Sequence, residues 1–352
     1  MDTMKWEENV RRVVPYVAGE QPNRPKMIKL NTNECPYPPA PSVKKALDKF
    51  EYDSLRLYPD PSSGVLINAL SDYYNMPSDQ IFVGVGSDDV LSMAFLTFFN
   101  SDKPILFPDI TYSFYDVWAD LYRIPYKQIP LDESFRINKE DYYAENGGVI
   151  FPNPNAPTGL VEDLDMIEDV LKNNRDVVVI VDEAYIDFGG KSALPLIEKY
   201  ENLLVVQTFS KSRAMAGMRI GFAFGSKKLI GFLNDAKFSF NSYTMNRPSL
   251  ELGAATLSDR DYFKDTCEKI IATRERVKPL LTELGFVFPD SSSNFIFAKH
   301  KTVSGKKIFE ELRKRGIIVR RWDIPRISEY LRITVGTDEQ MDTLIESLRE
   351  IV

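Results

Sequence analysis

Val177-Val-Val-Ile-Val181-Asp182-Glu183-Ala184-Tyr185 opens on five apolar β-branched residues and then turns acidic. A strand with one wet face alternates apolar and polar residues, but positions 177–181 hold no polar residue at all. That pattern predicts a strand covered on both faces, as in a largely parallel sheet with helices packed above and below it. Working outward, positions 81–85, 104–107, 149–151, 203–208 and 220–224 read as companion strands. The stretches 87–99, 112–121, 162–173 and 227–237 read as amphipathic helices, several with Asp or Ser near the start as caps. Strand and helix alternating in this way define an α/β fold.

The chain has 352 residues, enough for about two domains. Beyond residue 250 the texture changes to a long charged helical stretch at 260–284, short strands at 295–298, 317–320 and 330–335, and helices at 305–315 and 338–350. These read as a smaller α+β domain. The expected division is an N-terminal arm at 1–30, a large domain at 31–250 and a C-terminal domain at 251–352. Pro36, Pro38, Pro39 and Pro41 make positions 31–41 an extended connector rather than a helix.

Lys and Arg number 44 against 51 Asp and Glu, a net charge of -7, so the field of the molecule repels nucleic acid and anionic membranes. No apolar run nears the roughly 18 residues that cross a bilayer. Positions 1–20 mix acids and bases without the apolar core of a secretion signal, so a soluble cytoplasmic protein is expected. Cys35 and Cys267 are far apart in sequence and are expected as reduced thiols. His300 is the single histidine, which removes the usual nucleophile triads and the multi-histidine zinc sites. No metal is expected, acid–base work falls to Lys, Tyr or carboxylates, and His300 itself is expected to be a solvated surface residue.

Several strand ends could carry chemistry. Asp182 closes the apolar strand, where a carboxylate is costly unless it meets a cation or a donor. A protonated pyridine nitrogen would serve, with Tyr185 in reach of the same ligand; an ordinary strand-end turn is an equal alternative. Thr208-Phe-Ser210-Lys211-Ser-Arg-Ala-Met-Ala-Gly217-Met-Arg219-Ile-Gly221 sets a lysine just past a strand, flanked by hydroxyls and followed eight residues on by an arginine. Partial burial beside a cation lowers a lysine's pKa and frees a nucleophilic amine for a Schiff base, although most loop lysines are simply solvated. Phe151-Pro-Asn153-Pro-Asn155-Ala156-Pro-Thr158-Gly159 uses three prolines to hold polar side chains on a rigid loop. In Gly84-Val-Gly86-Ser87-Asp88-Asp89 a strand passes through small residues into a helix whose free N–H groups can receive a phosphate. Asp89 replaces the third glycine of a dinucleotide fingerprint, and Tyr185 replaces the first glycine of a P-loop ending at Gly190-Lys-Ser192, so neither nucleotide motif is complete. Ligands of open parallel sheets bind at strand ends, which makes the conjunction more specific than any member.

Together these residues resemble the fold-type I pyridoxal-phosphate aminotransferases, and among them the histidinol-phosphate aminotransferase family. The resemblance runs through Val14-Pro-Tyr16, Leu30-Asn-Thr-Asn33-Glu34-Cys-Pro36, Tyr58-Pro-Asp-Pro61, Gly86-Ser-Asp88, Thr111-Tyr112 and the proline-rich loop. It continues through Asp182-Glu-Ala-Tyr185, Ser210-Lys211, Gly217-Met-Arg219, Ser293-Asn294-Phe and Leu331-Arg332-Ile-Thr-Val-Gly336. It implies a large domain on a mostly parallel seven-stranded sheet, a smaller C-terminal domain and pyridoxal 5'-phosphate as cofactor.

By this resemblance Lys211 would bind the cofactor aldehyde and later move a proton between substrate Cα and cofactor C4'. Asp182 would hold the pyridinium proton, Tyr185 would donate to the ring oxygen O3', and Tyr112 would stack on the ring. Gly86, Ser87, Asp88 through its main chain, Thr208, Ser210 and Arg219 would hold the phosphate, with Tyr58 reaching in from a partner subunit, which implies a homodimer. The family places Asn immediately before Pro-Thr-Gly as a second donor to O3'; here Ala156 stands there, and Asn155, one residue early, is the expected substitute. Tyr16, Asn33, Arg320 and Arg332 would hold the substrates, histidinol phosphate in one half-reaction and glutamate or 2-oxoglutarate in the other. Arg321 and Trp322 depart from the small or proline-containing segment of the family, and Arg321 is expected to be a solvated charge. An aromatic-amino-acid aminotransferase, a threonine-phosphate decarboxylase or an inactive ligand-binding relative would share most of these residues.

Overall fold

The computed structural model describes residues 5–21 and 27–352. In chain order the strands are β1 (Ile28–Leu30), β2 (Ile81–Gly84), β3 (Ile105–Pro108), β4 (Tyr126–Ile129), β5 (Gly148–Pro152), β6 (Val179–Asp182), β7 (Leu203–Thr208), β8 (Gly221–Gly225), β9 (Phe286–Val287), β10 (Phe295–His300), β11 (Ile317–Arg321) and β12 (Leu331–Thr334). The helices are α1 (Pro41–Asp48), α2 (Gly64–Tyr74), α3 (Ser87–Phe98), α4 (Tyr115–Tyr122), α5 (Leu164–Asn173), α6 (Lys227–Phe240), α7 (Arg247–Thr256), α8 (Arg260–Glu283), α9 (Gly305–Lys314) and α10 (Asp338–Ile351).

Strands β2 to β8 form a seven-stranded sheet in the order β2-β8-β7-β6-β5-β3-β4. β4, β3, β5, β6 and β7 run parallel, and β8 is antiparallel to both its neighbours. The apolar run at 177–181 explains itself here: Val177 and Val178 lead in, Val179 and Val181 enter one core and Ile180 the other. β7 repeats the pattern, with Leu203 and Val205 on one face and Leu204 and Val206 on the other. Leu66 of α2, Val170 of α5 and Leu250 of α7 cover the first face, and Val90 of α3, Trp118 of α4 and Ile230 of α6 cover the second. Burial of this kind on both faces is what holds a parallel sheet together.

A second, five-stranded sheet has the order β1-β11-β12-β10-β9. Leu281 of α8, Ile308 of α9 and Leu344 of α10 pack on one side of it. From β10, Phe295 packs with Ala156 and Tyr185, and Phe297 with Phe135 and Leu160, so this sheet lies against the ligand-facing edge of the larger one. Residues 28–30 belong to this sheet rather than to a free arm: Ile28, Lys29 and Leu30 pair in parallel with Ile317, Ile318 and Val319.

Two surface expectations also change. His300 locks a turn: its Nε2 donates to the Leu284 carbonyl at 2.8 Å while Nδ1 accepts from the backbone N–H of Val303 at 2.9 Å. Arg321 is tied down rather than solvated, donating to the Ser328 carbonyl at 2.8 Å and to Asp323 at 3.2 Å. Cys35 and Cys267 are both free and share one apolar cluster, where burial pushes the Cys35 thiol up to about 11.

Candidate active site

Parallel strands deliver the residues after their C-terminal ends to one rim of the sheet. Asp182 is the last residue of β6, Thr208 the last of β7, and Lys211 follows three residues later. With Tyr112, Tyr185 and Arg219 they border a cavity of about 330 Å³, a volume suited to a small cofactor.

One end of this cavity is an anion cradle. Gly86, at φ 85°, turns the chain from β2 into α3 and leaves the first N–H groups of that helix facing the cavity. A Cβ on Gly86 would collide with the Arg219 guanidinium, and one on Gly221 would collide with the backbone of Gly86 and Ser87. Both glycines are therefore required for Arg219 to lie over the helix start. Arg219 donates to Asp88 at 3.1 Å, and the Tyr112 hydroxyl donates to the other Asp88 oxygen at 2.7 Å. The Thr208 hydroxyl sits 3.0 Å from that of Ser210, so two hydroxyls join the guanidinium and the helix N-terminus.

The opposite end is acidic. Asp182 is buried and forms no ion pair among the described residues; it accepts from the Tyr115 hydroxyl at 3.0 Å and from the Ala184 N–H at 3.2 Å. Burial pushes its carboxyl up to about 6, against the pull of those two hydrogen bonds. Lys211 lies between the two ends, its Nζ donating to the Thr32 carbonyl at 3.1 Å and standing 5.7 Å from the centre of the Tyr185 ring. The Tyr185 hydroxyl accepts from the Asn33 amide at 2.9 Å, which leaves its own proton for an acceptor in the cavity.

A second cavity of about 240 Å³ shares Lys211, Tyr112 and Tyr185 with the first and is bounded by Tyr16, Arg320 and Arg332. Tyr16 stacks on Phe114 at 4.1 Å. Arg320 donates to the carbonyls of Val17 at 3.1 Å and Ala18 at 3.4 Å, and Arg332 to that of Asn31 at 3.1 Å. The Arg332 Nε is fully enclosed and has no acceptor among the described residues.

Two residues are not where the sequence reading puts them. Asn155 lines neither cavity: its amide donates to the Ile110 carbonyl at 3.0 Å and to Thr158 at 3.1 Å, and its oxygen accepts from Thr111 at 3.1 Å. Ala156 lines both cavities instead. Asn33 also misses both cavities; at φ 56° it is buried beneath Tyr185 and tied to the Thr334 hydroxyl at 3.0 Å. α4 begins at Tyr115 rather than Tyr112, which frees Tyr112 to line both cavities. Tyr58 is 79% exposed, rests on Tyr243 at 4.7 Å and borders neither cavity of its own chain. Tyr115, the donor to Asp182, escapes sequence reasoning because the two positions are 67 residues apart. Glu34, which lines the first cavity and pairs with Lys29 at 2.6 Å, carried a signal in its place beside Asn33.

Residues 25–348 match the family model of the class I and II aminotransferases. The chain belongs to this family. Over 347 residues it is 52% identical to the histidinol-phosphate aminotransferase of Lactococcus lactis subsp. cremoris strain MG1363, covering 99% of this chain and 98% of that protein. Histidinol-phosphate aminotransferase 1 of Hydrogenovibrio crunogenus is also 52% identical over 347 residues, with the same coverage of both chains. Among solved structures, histidinol-phosphate aminotransferase from Sinorhizobium meliloti in complex with pyridoxal-5'-phosphate superposes with a TM-score of 0.84 at 24% identity, over 92% of each chain. The enzyme from Clostridium acetobutylicum superposes with a TM-score of 0.85 at 23% identity, over 92% of this chain and 99% of that one. Backbone agreement at such low identity establishes the fold-type I architecture of the family.

Proposed function

We propose that this enzyme moves the amino group of L-histidinol phosphate to 2-oxoglutarate, giving imidazole acetol phosphate and glutamate, reversibly and in two half-reactions. This is the aminotransferase step of histidine biosynthesis, EC 2.6.1.9. The observation that carries the substrate reading is the second cavity, where two arginines, hydrogen-bonded among the described residues only to backbone carbonyls, face a space that opens onto Lys211. A phosphomonoester brings one to two negative charges and several acceptor oxygens, which suits paired guanidiniums. The carboxylate of glutamate uses the same donors in the other half-reaction. The relatives at 52% identity support the same substrate.

Pyridoxal 5'-phosphate fits the first cavity. The cradle of Ser87, Asp88, Thr208, Ser210 and Arg219 suits its phosphate, the unpaired Asp182 suits its ring nitrogen, and Lys211 lies between them. When bound, the cofactor supplies an electron-accepting ring and an aldehyde that condenses with amines. Asp182, fixed by Tyr115 and Ala184, holds a proton on the ring nitrogen. Tyr185, backed by Asn33, would donate to O3', and Tyr112 would lie against the ring. Lys211, aimed by the Thr32 carbonyl, would take a proton from the substrate Cα and deliver it to the cofactor's C4' carbon.

Tyr58 belongs to the partner's site in a homodimer. The exposed apolar side chains of Tyr52, Leu55, Leu57 and Phe240 support this pairing. An arm to residue 30 that lends β1 to the small sheet, a large domain at 31–250 and a small domain at 251–352 put the site in the cleft between domains. A cytoplasmic enzyme of small substrates, with neither nucleic acid nor membrane as partner, accords with the net charge of -7.

Turnover on histidinol phosphate, phenylalanine and threonine phosphate tests the assignment. Histidinol phosphate should lead by about tenfold or more in kcat/KM, with loss of the amine and no release of CO2. Equal turnover of phenylalanine, or CO2 from threonine phosphate, would overturn it.

A further inference from the structure

Trp322 directly follows β11, and its ring centre lies 5.4 Å from Cζ of Arg320 and 5.1 Å from Cζ of Arg332. Those arginines are cross-strand partners: β11 and β12 run antiparallel, and Arg320 pairs in register with Arg332. Like charges directly opposite on neighbouring strands repel, and the usual remedy is a carboxylate between them. Here neither guanidinium has an acidic partner among the described residues; both donate only to backbone carbonyls.

We propose that Trp322 takes the place of that counter-ion and is the residue that positions Arg320 and Arg332 for a doubly charged substrate group. An aromatic face attracts a guanidinium without consuming its N–H donors. A carboxylate would steady the same pair, but it would occupy those donors and repel an incoming anion. An aliphatic side chain would remove the one ring shared by both guanidiniums among the described residues, leaving Arg332 with Phe295 at 5.3 Å and each arginine with its backbone carbonyls, so the pair would be held less closely. The indole is itself held by packing against a cluster that includes Ile110, Phe297 and Tyr330, so its place does not depend on the arginines. Neighbouring Arg321 points away, to Ser328 and Asp323, which leaves Trp322 alone between the two cations.

The inference rests on assigning this cavity to the anionic end of the substrate, and its test separates the two. Wild-type, Trp322→Phe, Trp322→Leu and Arg320→Ala holoenzymes are compared by steady-state kinetics on histidinol phosphate and by calorimetric titration with inorganic phosphate. Trp322→Leu should raise both the KM and the phosphate Kd about tenfold, with kcat within about twofold and cofactor absorbance unchanged. Trp322→Phe, which keeps an aromatic face, should recover most of that loss, and Arg320→Ala should weaken phosphate at least as much as the leucine variant. A phosphate Kd that ignores Trp322→Leu, a phenylalanine variant no better than leucine, or a loss confined to kcat would overturn the proposal. If phosphate binding follows the expected order but wild type does not turn over histidinol phosphate, the role of Trp322 stands and the substrate assignment falls.

Discussion

The Tyr185 hydroxyl can serve a ligand oxygen only if its proton points into the cavity, and the Asn33 amide arranges this by donating to it from behind. In the proposed site the Asn155 amide would not add a second donor to that oxygen, because it is engaged with Ile110 and Thr158 while Ala156 lines the cavity. With fewer donors, the anionic form of O3' is less stabilised, and the lysine–cofactor linkage should hold its proton to higher pH. Ala156→Asn is therefore expected to lower the pH midpoint of the cofactor absorbance, and Asn33→Ala to raise it; a midpoint that stays put in both variants would remove this account. Lys211 makes a simpler claim. Borohydride treatment of the loaded enzyme should leave a pyridoxyl group on the peptide containing Lys211, found by mass spectrometry, and an unmodified peptide from fully loaded wild type would defeat the covalent role.

At the scale of the element, β6 ends in Asp182, and Glu183, the next residue, faces the opposite way. Asp182 looks into the cavity, while Glu183 turns into the protein and accepts from Ser192 and the Ala193 N–H at 2.6 Å and from Gln207 of β7 at 2.8 Å. Burial still pushes the Glu183 carboxyl up to about 7, from an ordinary value of 4.5. The folded state thus keeps a proton that the unfolded chain gives up, so this stabilisation is complete below the ordinary value and is lost as pH rises through about 7. Wild type should lose Tm relative to Glu183→Gln between pH 5 and pH 8 in scanning calorimetry; a difference that does not vary with pH would contradict it.

The same scale shows what the sequence made legible. β6 and β7 could be read because burial on both faces leaves a local, unbroken apolar run. β4 could not: it is an edge strand, Tyr126-Lys-Gln-Ile129, whose first three residues are exposed. β1 and β9 are too short to show a period. Asp182 at the end of β6, Lys211 just past β7 and Arg219 just before the antiparallel β8 were legible because topology alone brings these strand ends to one rim. Asn33 and Asn155 were not, because the direction of each side chain is set by a local φ or a distant carbonyl. The split between Arg320 and Arg321 was available from period-two alternation along a strand, which sends successive side chains to opposite faces.

Across the whole molecule, Tyr58 borders neither of the two cavities of its own chain, and with Tyr52, Leu55 and Phe240 it leaves apolar surface on the outside. If it completes the partner's site, subunits carrying Lys211→Ala and subunits carrying Tyr58→Ala should rescue one another when mixed and reassembled. A hybrid pairs the intact lysine of one chain with the intact tyrosine of the other, so activity should approach about a quarter of wild type. Mixtures no more active than their parents would exclude a shared site.

β1 is only three residues long, yet it fastens the start of the chain to the smaller sheet and runs directly into Thr32 and Asn33. The Thr32 carbonyl restrains the reactive amine, and the Asn33 amide backs the tyrosine hydroxyl. A swing of the smaller sheet therefore pulls one tether attached to both groups. Any displacement of that sheet would change the restraints on the lysine and the tyrosine together, through a single short ribbon.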